Sequence, residues 1–413
     1  MKYFLSIIYM GFVLLSLPVK AQDSVQTLRD ILSKIETEYP QVLQYNSKVE
    51  ALKYRAKGSK SWMPPTVSFG VDRFPYNPMM LSEESPMNQA GLMFSVEQMF
   101  PIPSKQNAKS SYYNALTKVE ESNQAWTKNT LRLQARLFYY NQYVTLRKLQ
   151  ILNENESVIK LFIESAEVRY VHNQAELGSV FKAKARLAEL QNMKTMLYMA
   201  LAENRIGMNI LLGNPSADTL KIDTSQYSVS LMQFSDTSLA NRSDIQSMTN
   251  MIKAMEEERK LMSLGRKPEF GVRFNHMQMF GMPNQYSVMG MMTIPIVPWS
   301  SGMYKNDVLA MNSEIKSTEF ERESMQRMAT RMSQEKTAMH FYQKQQFQNY
   351  NQSIIPAYRK NLEANLIAWK QNTATFFVLL DSWEMLLMKQ LEAEDKLQEL
   401  YKLQAEVLYE LEK

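Results

Sequence analysis

The chain carries one structural unit twice, and this duplication limits what it can fold into. Three blocks recur in the same order: residues 64–71 match 267–274, residues 95–103 match 292–300, and residues 173–183 match 372–382. Matched positions are offset by 203, 197 and 199 residues, so the spacing is nearly constant. Three blocks in one order at nearly one spacing indicate a duplicated unit. We assign a first repeat to residues 22–213, a linker to residues 214–238 and a second repeat to residues 239–413.

Each repeat reads helix, strand, loop, strand, very long helix, short turn, long helix. In the first repeat, a helix interrupted at Pro40 precedes strands over residues 66–73 and 91–100. Residues 105–170 then contain neither Pro nor Gly. A stretch of that length without a helix breaker predicts one very long helix.

The second repeat has the same order of elements. A helix over residues 243–264 precedes strands near residues 269–275 and 286–297. The long helix over residues 303–369 contains Pro356, which should kink it. Apolar residues in the return helix, residues 375–412, recur at a spacing near 3.5, which is typical of a coiled-coil seam. The expected fold class is mainly α with a small β part, in which long antiparallel coiled-coil hairpins join two-stranded β-ribbons.

The N-terminal residues have the layout of a cleavable export signal. Lys2 is followed by an apolar segment over residues 3–17 and by the small residue Ala21. The apolar segment is short for a membrane span, so we predict a signal peptide over residues 1–21, with an uncleaved anchor helix as the alternative. The chain contains no cysteine, which excludes disulfides and a lipid anchor on an N-terminal cysteine.

Residues that commonly carry catalysis are sparse. Three histidines, His172, His276 and His340, are far apart, and the sequence has no metalloprotease, nucleophile-elbow, phosphate-loop or dinucleotide motif. The net charge of +5 comes from charges interspersed along helices rather than from a basic block. We therefore expect no enzymatic activity, no cofactor and no nucleic-acid partner.

The predicted strands raise a problem of closure. Strands of about 9–11 residues are long enough to cross a bilayer within a closed barrel. Four strands cannot close a barrel alone, and open sheet edges are not tolerated in lipid. Three copies of the chain would supply twelve strands, which predicts a homotrimer.

The ordered set of elements resembles the TolC family of outer-membrane factors, the outer-membrane efflux proteins. The resemblance rests on ANRSDIQSM at residues 240–248, EQMFPIPSK at 97–105, PIVPWSSG at 295–302 and the two hairpin tips. It covers essentially the whole chain after the signal peptide. It implies a trimer whose twelve-stranded transmembrane β-barrel in the outer membrane continues into a twelve-helix α-barrel in the periplasm. The implied partners are a periplasmic adaptor protein, an inner-membrane efflux pump and outer-membrane lipid.

The resemblance also implies two sites on the helices. The hairpin tips would dock the adaptor, a role that falls to Asn173, Gln174, Leu177, Gly178, Asn372, Thr373 and Phe376. Asn173 and Asn372 stand where the family usually has Gly, and Asn tolerates left-handed backbone better than other non-Gly residues. Acidic rings narrow the periplasmic gate in some members, and the matching positions here are Val378 and Asp381. We assign the gate to Asp381, with an ordinary solvated carboxylate as the alternative.

Methionine is concentrated around the predicted strands. Residues 73–100 and 275–292 hold 11 of the 31 methionines, about three times an even share. Thioethers bind soft ions such as Cu(I), and this fits the CusC-like, heavy-metal branch of the TolC family. The candidate metal contacts are Met79, Met80, Met87, His276, Met277, Met279 and Met282. The alternative is that these methionines are flexible apolar filler in loops and lipid-facing strands.

Residues and resemblance together predict a passive outer-membrane export duct of a tripartite efflux system. Copper, silver or other heavy-metal cations are the candidate cargo. A general drug efflux duct and a type I secretion duct are alternatives within this class. A periplasmic coiled-coil adaptor or scaffold without a pore is the alternative from another class.

Overall fold

The computed structural model describes residues 27–82, 88–172, 176–214 and 239–413. The predicted signal peptide, Met87, Asn173, Gln174 and nearly all of the predicted linker lie outside these ranges. Contacts divide the described residues into two compact units. The helical unit comprises residues 27–39, 131–172, 176–214 and 337–406, and the sheet unit comprises residues 40–82, 88–130, 239–336 and 407–413. Each unit contains residues from both sequence repeats.

Two helices open the described chain. Helix α1, Leu28–Glu38, begins with a capping box in which Thr27 and Asp30 exchange hydrogen bonds, and it buries Ile31 and Ile35. Helix α2, Pro40–Gly58, begins at a proline, because the first turn of a helix does not need the missing N–H. The interruption predicted at Pro40 is confirmed.

The strands form one antiparallel sheet rather than two separate ribbons. Its order is β1–β2–β3–β4, with β1 at Thr66–Asp72, β2 at Gly91–Phe100, β3 at Glu269–Met279 and β4 at Gln285–Thr293. Strand β2 of the first repeat pairs with β3 of the second along its whole length. Strand β4 ends earlier than predicted, because Pro295 and Pro298 follow and neither can donate a ladder hydrogen bond. A 3₁₀ turn, Pro78–Ser82, lies between β1 and β2.

Long helices make up most of the described chain. In chain order they are α3 at Pro103–Val171, α4 at Leu177–Leu212, α5 at Ser243–Leu264, α6 at Pro298–Asn349, α7 at Ile355–Lys370 and α8 at Phe376–Glu410. A π-helical turn, Tyr350–Ile354, separates α6 from α7 directly before Pro356. Because Pro356 has no N–H to donate to the preceding turn, the helix widens there instead of continuing regularly.

The core of the helical unit is built from α3, α4, α7 and α8. Its buried members include Leu152 and Ile159 of α3, Leu190 of α4, Trp369 of α7, and Leu379, Leu380 and Trp383 of α8. Phe376, Leu380, Trp383 and Leu387 all lie in this core, which confirms the predicted coiled-coil seam at the start of α8. In the part of the chain that the structure describes, no helix combines the length and apolar character needed to cross a membrane.

Candidate functional site

The sheet has one polar and one apolar face, because successive side chains of a strand point to opposite sides. The polar face holds every second residue, starting from Thr66 in β1, Gly91 in β2, Glu269 in β3 and Gln285 in β4. The apolar face holds the residues between them. In the register of all four strands, each polar-face residue is paired with a polar-face residue of the neighbouring strand, and each apolar-face residue with an apolar-face residue.

The apolar face is exposed. Phe69 is 74% exposed and Phe270 is 52% exposed, and Val67, Val71, Phe94, Val272, Phe274 and Val288 are exposed as well. On β3 the residues of the polar face are buried, as Gly271 and Asn275 are, or half-buried, while the residues between them are exposed. This arrangement is the reverse of a water-soluble sheet, in which the apolar face packs on a core. An exposed face of this kind suits contact with lipid.

Hydrogen bonds and ion pairs hold the polar face together. Arg273 donates two hydrogen bonds to Glu97 on the neighbouring strand, the one from Nε at 3.1 Å. Asn275 donates to the Ser287 hydroxyl at 3.0 Å. These cross-strand pairs fix the register, and their polarity suits a face that meets water.

Both outer strands leave an edge without a partner. Within the described residues, β1 pairs only with β2 and β4 pairs only with β3. Unpaired N–H and C=O groups therefore run along two edges of a sheet whose apolar face is exposed. Such an edge is a template for pairing with another strand.

The tip between α7 and α8 is a tight turn that hydrogen bonds and ring contacts hold in place. Asn372 has a φ of 60°, so it occupies the left-handed region that the sequence predicted for it. Arg169 donates to the Asn372 side-chain oxygen at 2.9 Å and to the Trp369 carbonyl at 3.2 Å. The guanidinium also lies 4.1 Å from the centre of the Trp369 ring, and Trp369 contacts Phe376. The Thr373 N–H closes the turn by donating to the Ala368 carbonyl.

Substitution of Asn372 should separate the effect of backbone strain from that of the hydrogen bond. We expect Asn372→Ala to destabilise the tip by about 1–2 kcal/mol, because a Cβ without a compensating local hydrogen bond is disfavoured in left-handed backbone. Asn372→Gly should cost less, since it removes the strain while losing the contact with Arg169. Hydrogen exchange of the Thr373 and Ala374 amides would measure both. Equal protection in the two variants would contradict this account of the turn.

The tip between α3 and α4 is described from Glu176 onward. Leu177 is exposed, and no atom lies within 4 Å of a Cβ placed on Gly178. Phe181 and Phe377 are also exposed, and Lys182 Nζ lies 3.3 Å from the centre of the Phe377 ring. The two tips thus present apolar and aromatic side chains to solvent.

Asp381 lies on the exposed side of α8, beside a charged cluster. Arg186 of α4 contacts Glu189 at 2.6 Å and Glu384 at 2.9 Å. The hydrogen bond to Glu189 is the main cause that raises the pKa of Arg186, and the charges of Glu384 and Asp381 raise it further. Asp381 therefore lies close enough to Arg186 to interact with its charge, a feature that the sequence pattern did not reveal.

Comparison with known proteins extends these observations. No protein-family model matches the sequence, and no curated protein matches it. Solved structures match the fold over 93% of this chain. They include the outer-membrane channel OprN (14% identity, TM-score 0.75, 89% of that chain). They also include CusC, which forms a transmembrane channel (12%, 0.76, 91%), and the MtrE outer-membrane channel of Neisseria gonorrhoeae (11%, 0.75, 88%). The chain has the outer-membrane channel fold.

The outer-membrane channel fold confirms the predicted resemblance to the TolC family at the level of structure. The mainly helical architecture with a small antiparallel sheet is likewise confirmed. Similarity to these structures at 11–14% identity establishes the fold of this chain.

Within this fold, the structure separates the predicted metal contacts. Met277 and Met279 lie on the polar face, whereas His276 lies on the apolar face opposite Phe94 and Tyr286. Met79 and Met80 are exposed in the 3₁₀ turn, and Met282 lies in the connection between β3 and β4. His276 therefore does not share a face with its methionine neighbours. Within the described residues, no group of three or more His, Asp or Glu could hold a metal ion.

Other methionines of the sheet come together instead. Met99 of β2 and Met291 of β4 both stand opposite Gly271 of β3, one on each side. Both lie in the methionine-rich segments of the sequence, but neither was among the predicted metal contacts. The alternation of side chains along a strand could have predicted that Met291 and His276 lie on opposite faces. The proximity of Met99 to Met291 could not be predicted in this way, because it depends on pairing between strands that are distant in sequence.

Proposed function

We propose that the chain is an outer-membrane export duct of a tripartite efflux system. It is exported through its signal peptide and inserts as a homotrimer, whose twelve strands close a transmembrane barrel that continues into a twelve-helix barrel in the periplasm. The duct is passive, and an inner-membrane pump supplies the driving force through a periplasmic adaptor.

The exposed apolar face of the sheet carries this proposal. Phenylalanine and valine cover the exposed face, while Glu97, Arg273 and Asn275 occupy the other. With lipid outside and water inside, both faces meet a suitable solvent. Pairing β1 of one copy with β4 of the next satisfies both open edges, which a bilayer requires. A periplasmic scaffold without a pore has no need for such a sheet.

Exposed side chains at the hairpin tips support an adaptor as partner. Leu177, Phe181 and Phe377 are apolar and exposed, and each lies within or just after the tip segments at residues 173–180 and 372–377. Apolar anchors at helical spacing suit packing against the helices of another protein. We assign adaptor docking to both tips, including Asn173 and Gln174 of the first and Asn372, Thr373 and Phe376 of the second.

Heavy-metal cations are the cargo that the methionine-rich sheet favours. Drug efflux and type I secretion are the alternatives, since the fold is shared by ducts whatever they carry. Sensitivity of a deletion strain to silver, copper and a panel of dyes and antibiotics separates these alternatives. Selective metal sensitivity supports the metal cargo, and broad dye and drug sensitivity without a metal effect contradicts it.

The proposed duct is tested by reconstitution. Purified full-length protein added to a planar lipid bilayer should give stepwise increases in conductance, each from one inserted trimer. The same preparation should migrate faster on a gel before boiling than after it, and the protein should fractionate with the outer membrane. A soluble protein that leaves the bilayer unchanged would favour the pore-free scaffold.

Asp381 provides a test of the proposed gate. Three copies of its carboxylate on one ring would favour cations over anions, so Asp381→Asn should lower the cation-to-anion permeability ratio. The reversal potential in a salt gradient measures this ratio. Because Asp381 is exposed, the substitution should change the free energy of unfolding by less than about 0.5 kcal/mol. The control is Glu399→Gln on α8, where the Glu399 side chain is 45% exposed and pairs with Lys402. An equal effect of both substitutions would contradict a gate role for Asp381.

A further inference from the structure

The strand methionines are sorted between the two faces of the sheet. Of the seven methionines in the four described strands, six lie on the polar face: Met93, Met99, Met277, Met279, Met289 and Met291. Only Met292 lies on the apolar face, which is otherwise covered mainly by phenylalanine and valine. Filler for lipid-facing positions would accumulate on the apolar face. Packing against lipid therefore does not explain where these side chains lie.

Two of the six methionines converge over one glycine. Met99 and Met291 flank Gly271 on the neighbouring strands, and the glycine has no side chain to keep them apart. A Cβ placed on Gly271 would lie 2.3 Å from the Met99 sulfur and 3.4 Å from the terminal methyl of Met291. Both thioether ends therefore reach into the space that a side chain at position 271 would fill.

Charges next to this methionine pair are balanced. In the adjacent pair of residues on the same face, Arg273 is held by Glu97. On the other side, Glu269 is held by Lys105 at 2.7 Å. In both ion pairs the positive charge is neutralised, so it does not repel a bound cation. Both carboxylates are also paired, so neither makes the position a site for hard ions. The Gln98 backbone carbonyl oxygen lies 3.2 Å from the Cβ placed on Gly271, so thioether sulfur is the side-chain ligand that the position offers.

We propose that Met99 and Met291 form a binding site for a soft monovalent cation, Cu(I) or Ag(I), over Gly271. This inference rests on the proposed duct, because the polar face then lines the lumen and cargo passes the site. Sulfur ligands of methionine select Cu(I) over harder ions. Two neutral thioethers hold such an ion without a counter-charge, so the ion can leave again, as conduction requires.

Silver binding to the purified full-length trimer in detergent tests the site. Isothermal titration with Ag(I) should show that Met99→Leu/Met291→Leu binds one ion fewer per chain than the unmodified protein. Leucine retains the volume and apolar character of methionine, so the sheet should still fold. Gly271→Ala should weaken binding by about 10- to 100-fold, the usual effect of disturbing the support of a metal ligand, because the new methyl group displaces the Met99 sulfur. X-ray absorption with Cu(I) should show sulfur ligands that disappear in the double variant.

Two variants of the same sheet serve as controls. Met292→Leu removes a thioether from the apolar face, and Gly290→Ala adds a methyl group where no atom lies within 4 Å. Both should bind silver as the unmodified protein does. Unchanged silver binding by the double methionine variant, or no binding by the unmodified protein, would overturn the site. Bilayer conductance is recorded in parallel. A protein that conducts but binds no silver would support the proposed duct and contradict the silver site. A protein that binds silver but does not conduct would support the site and contradict the duct.

Discussion

Lysine in place of Phe69 should prevent the protein from folding into the outer membrane, whereas lysine at the neighbouring Ser68 should be tolerated. Both residues lie in the middle of β1 and both are exposed in the single chain, but they belong to opposite faces. If the apolar face meets lipid, a lysine near the bilayer midplane costs about 2–4 kcal/mol for each chain. In a water-soluble protein, the same exchange at an exposed position would change the free energy of unfolding by only about 0.5 kcal/mol.

Two measurements compare the lysine variants. The amount of heat-modifiable trimer in outer-membrane fractions reports assembly in the cell. Folding into lipid vesicles, followed across a urea series, gives the difference in free energy. We expect little trimer for Phe69→Lys and near-normal amounts for Ser68→Lys. Similar behaviour of both variants would mean that the two faces of β1 meet the same solvent.

Loss of Arg242 should produce the largest change in stability within the sheet unit. Arg242 lies directly before α5 and contacts both Asp244, at 2.8 Å, and Glu410 near the end of α8. Its guanidinium also lies 4.8 Å from the centre of the Trp126 ring. The Arg242 side chain is 8% exposed and that of Glu410 is 9% exposed. Arg242→Met therefore leaves a buried carboxylate without its partner, and we expect a loss of about 3–5 kcal/mol.

Two control variants test whether the expected loss of stability comes from the burial of the Arg242 ion pair and not merely from the removal of a charge. Arg327 pairs with Glu323 on the surface of α6, with a side chain that is 79% exposed, so Arg327→Met should cost less than about 1 kcal/mol. The double variant Arg242→Met/Glu410→Met should be more stable than Arg242→Met alone, because it leaves one fewer buried charge. Urea midpoints, followed by tryptophan fluorescence, give all three values. Equal losses at Arg242 and Arg327 would refute the buried network.

Local sequence signals were sufficient to predict most of the helices and strands of the fold. The absence of Pro and Gly over residues 105–170 predicted α3, and the prolines at 40 and 356 marked the places where helices change. Asn372 was correctly expected in left-handed backbone. Each of these effects acts over a few residues, so the sequence near each position is enough to predict it.

Contacts between distant segments could not be predicted in the same way. The pairing of β2 with β3 joins strands from different repeats, and only its register places Met99 against Gly271. Arg242 belongs to the segment at residues 240–248 that carried the family resemblance, but its partner Glu410 is 168 residues away. Both depend on packing of the complete chain, for which the local pattern holds no signal.

In the proposed trimer, the two open edges of the sheet would make closure of the barrel depend on the encounter of three copies. A chain that closes its own sheet folds at a rate independent of its concentration, but in the proposed trimer this chain would complete the hydrogen bonds of its sheet edges only by pairing with other copies. Each copy would then carry unpaired strand edges and an exposed apolar face through an aqueous compartment before assembly, where aggregation competes with trimer formation. The expression level would therefore affect the yield of the proposed trimer in two ways: a low level would delay the encounter of three copies, and a high level would favour disordered pairing of strands. Holdase chaperones that shield unpaired strands would widen the range between these limits.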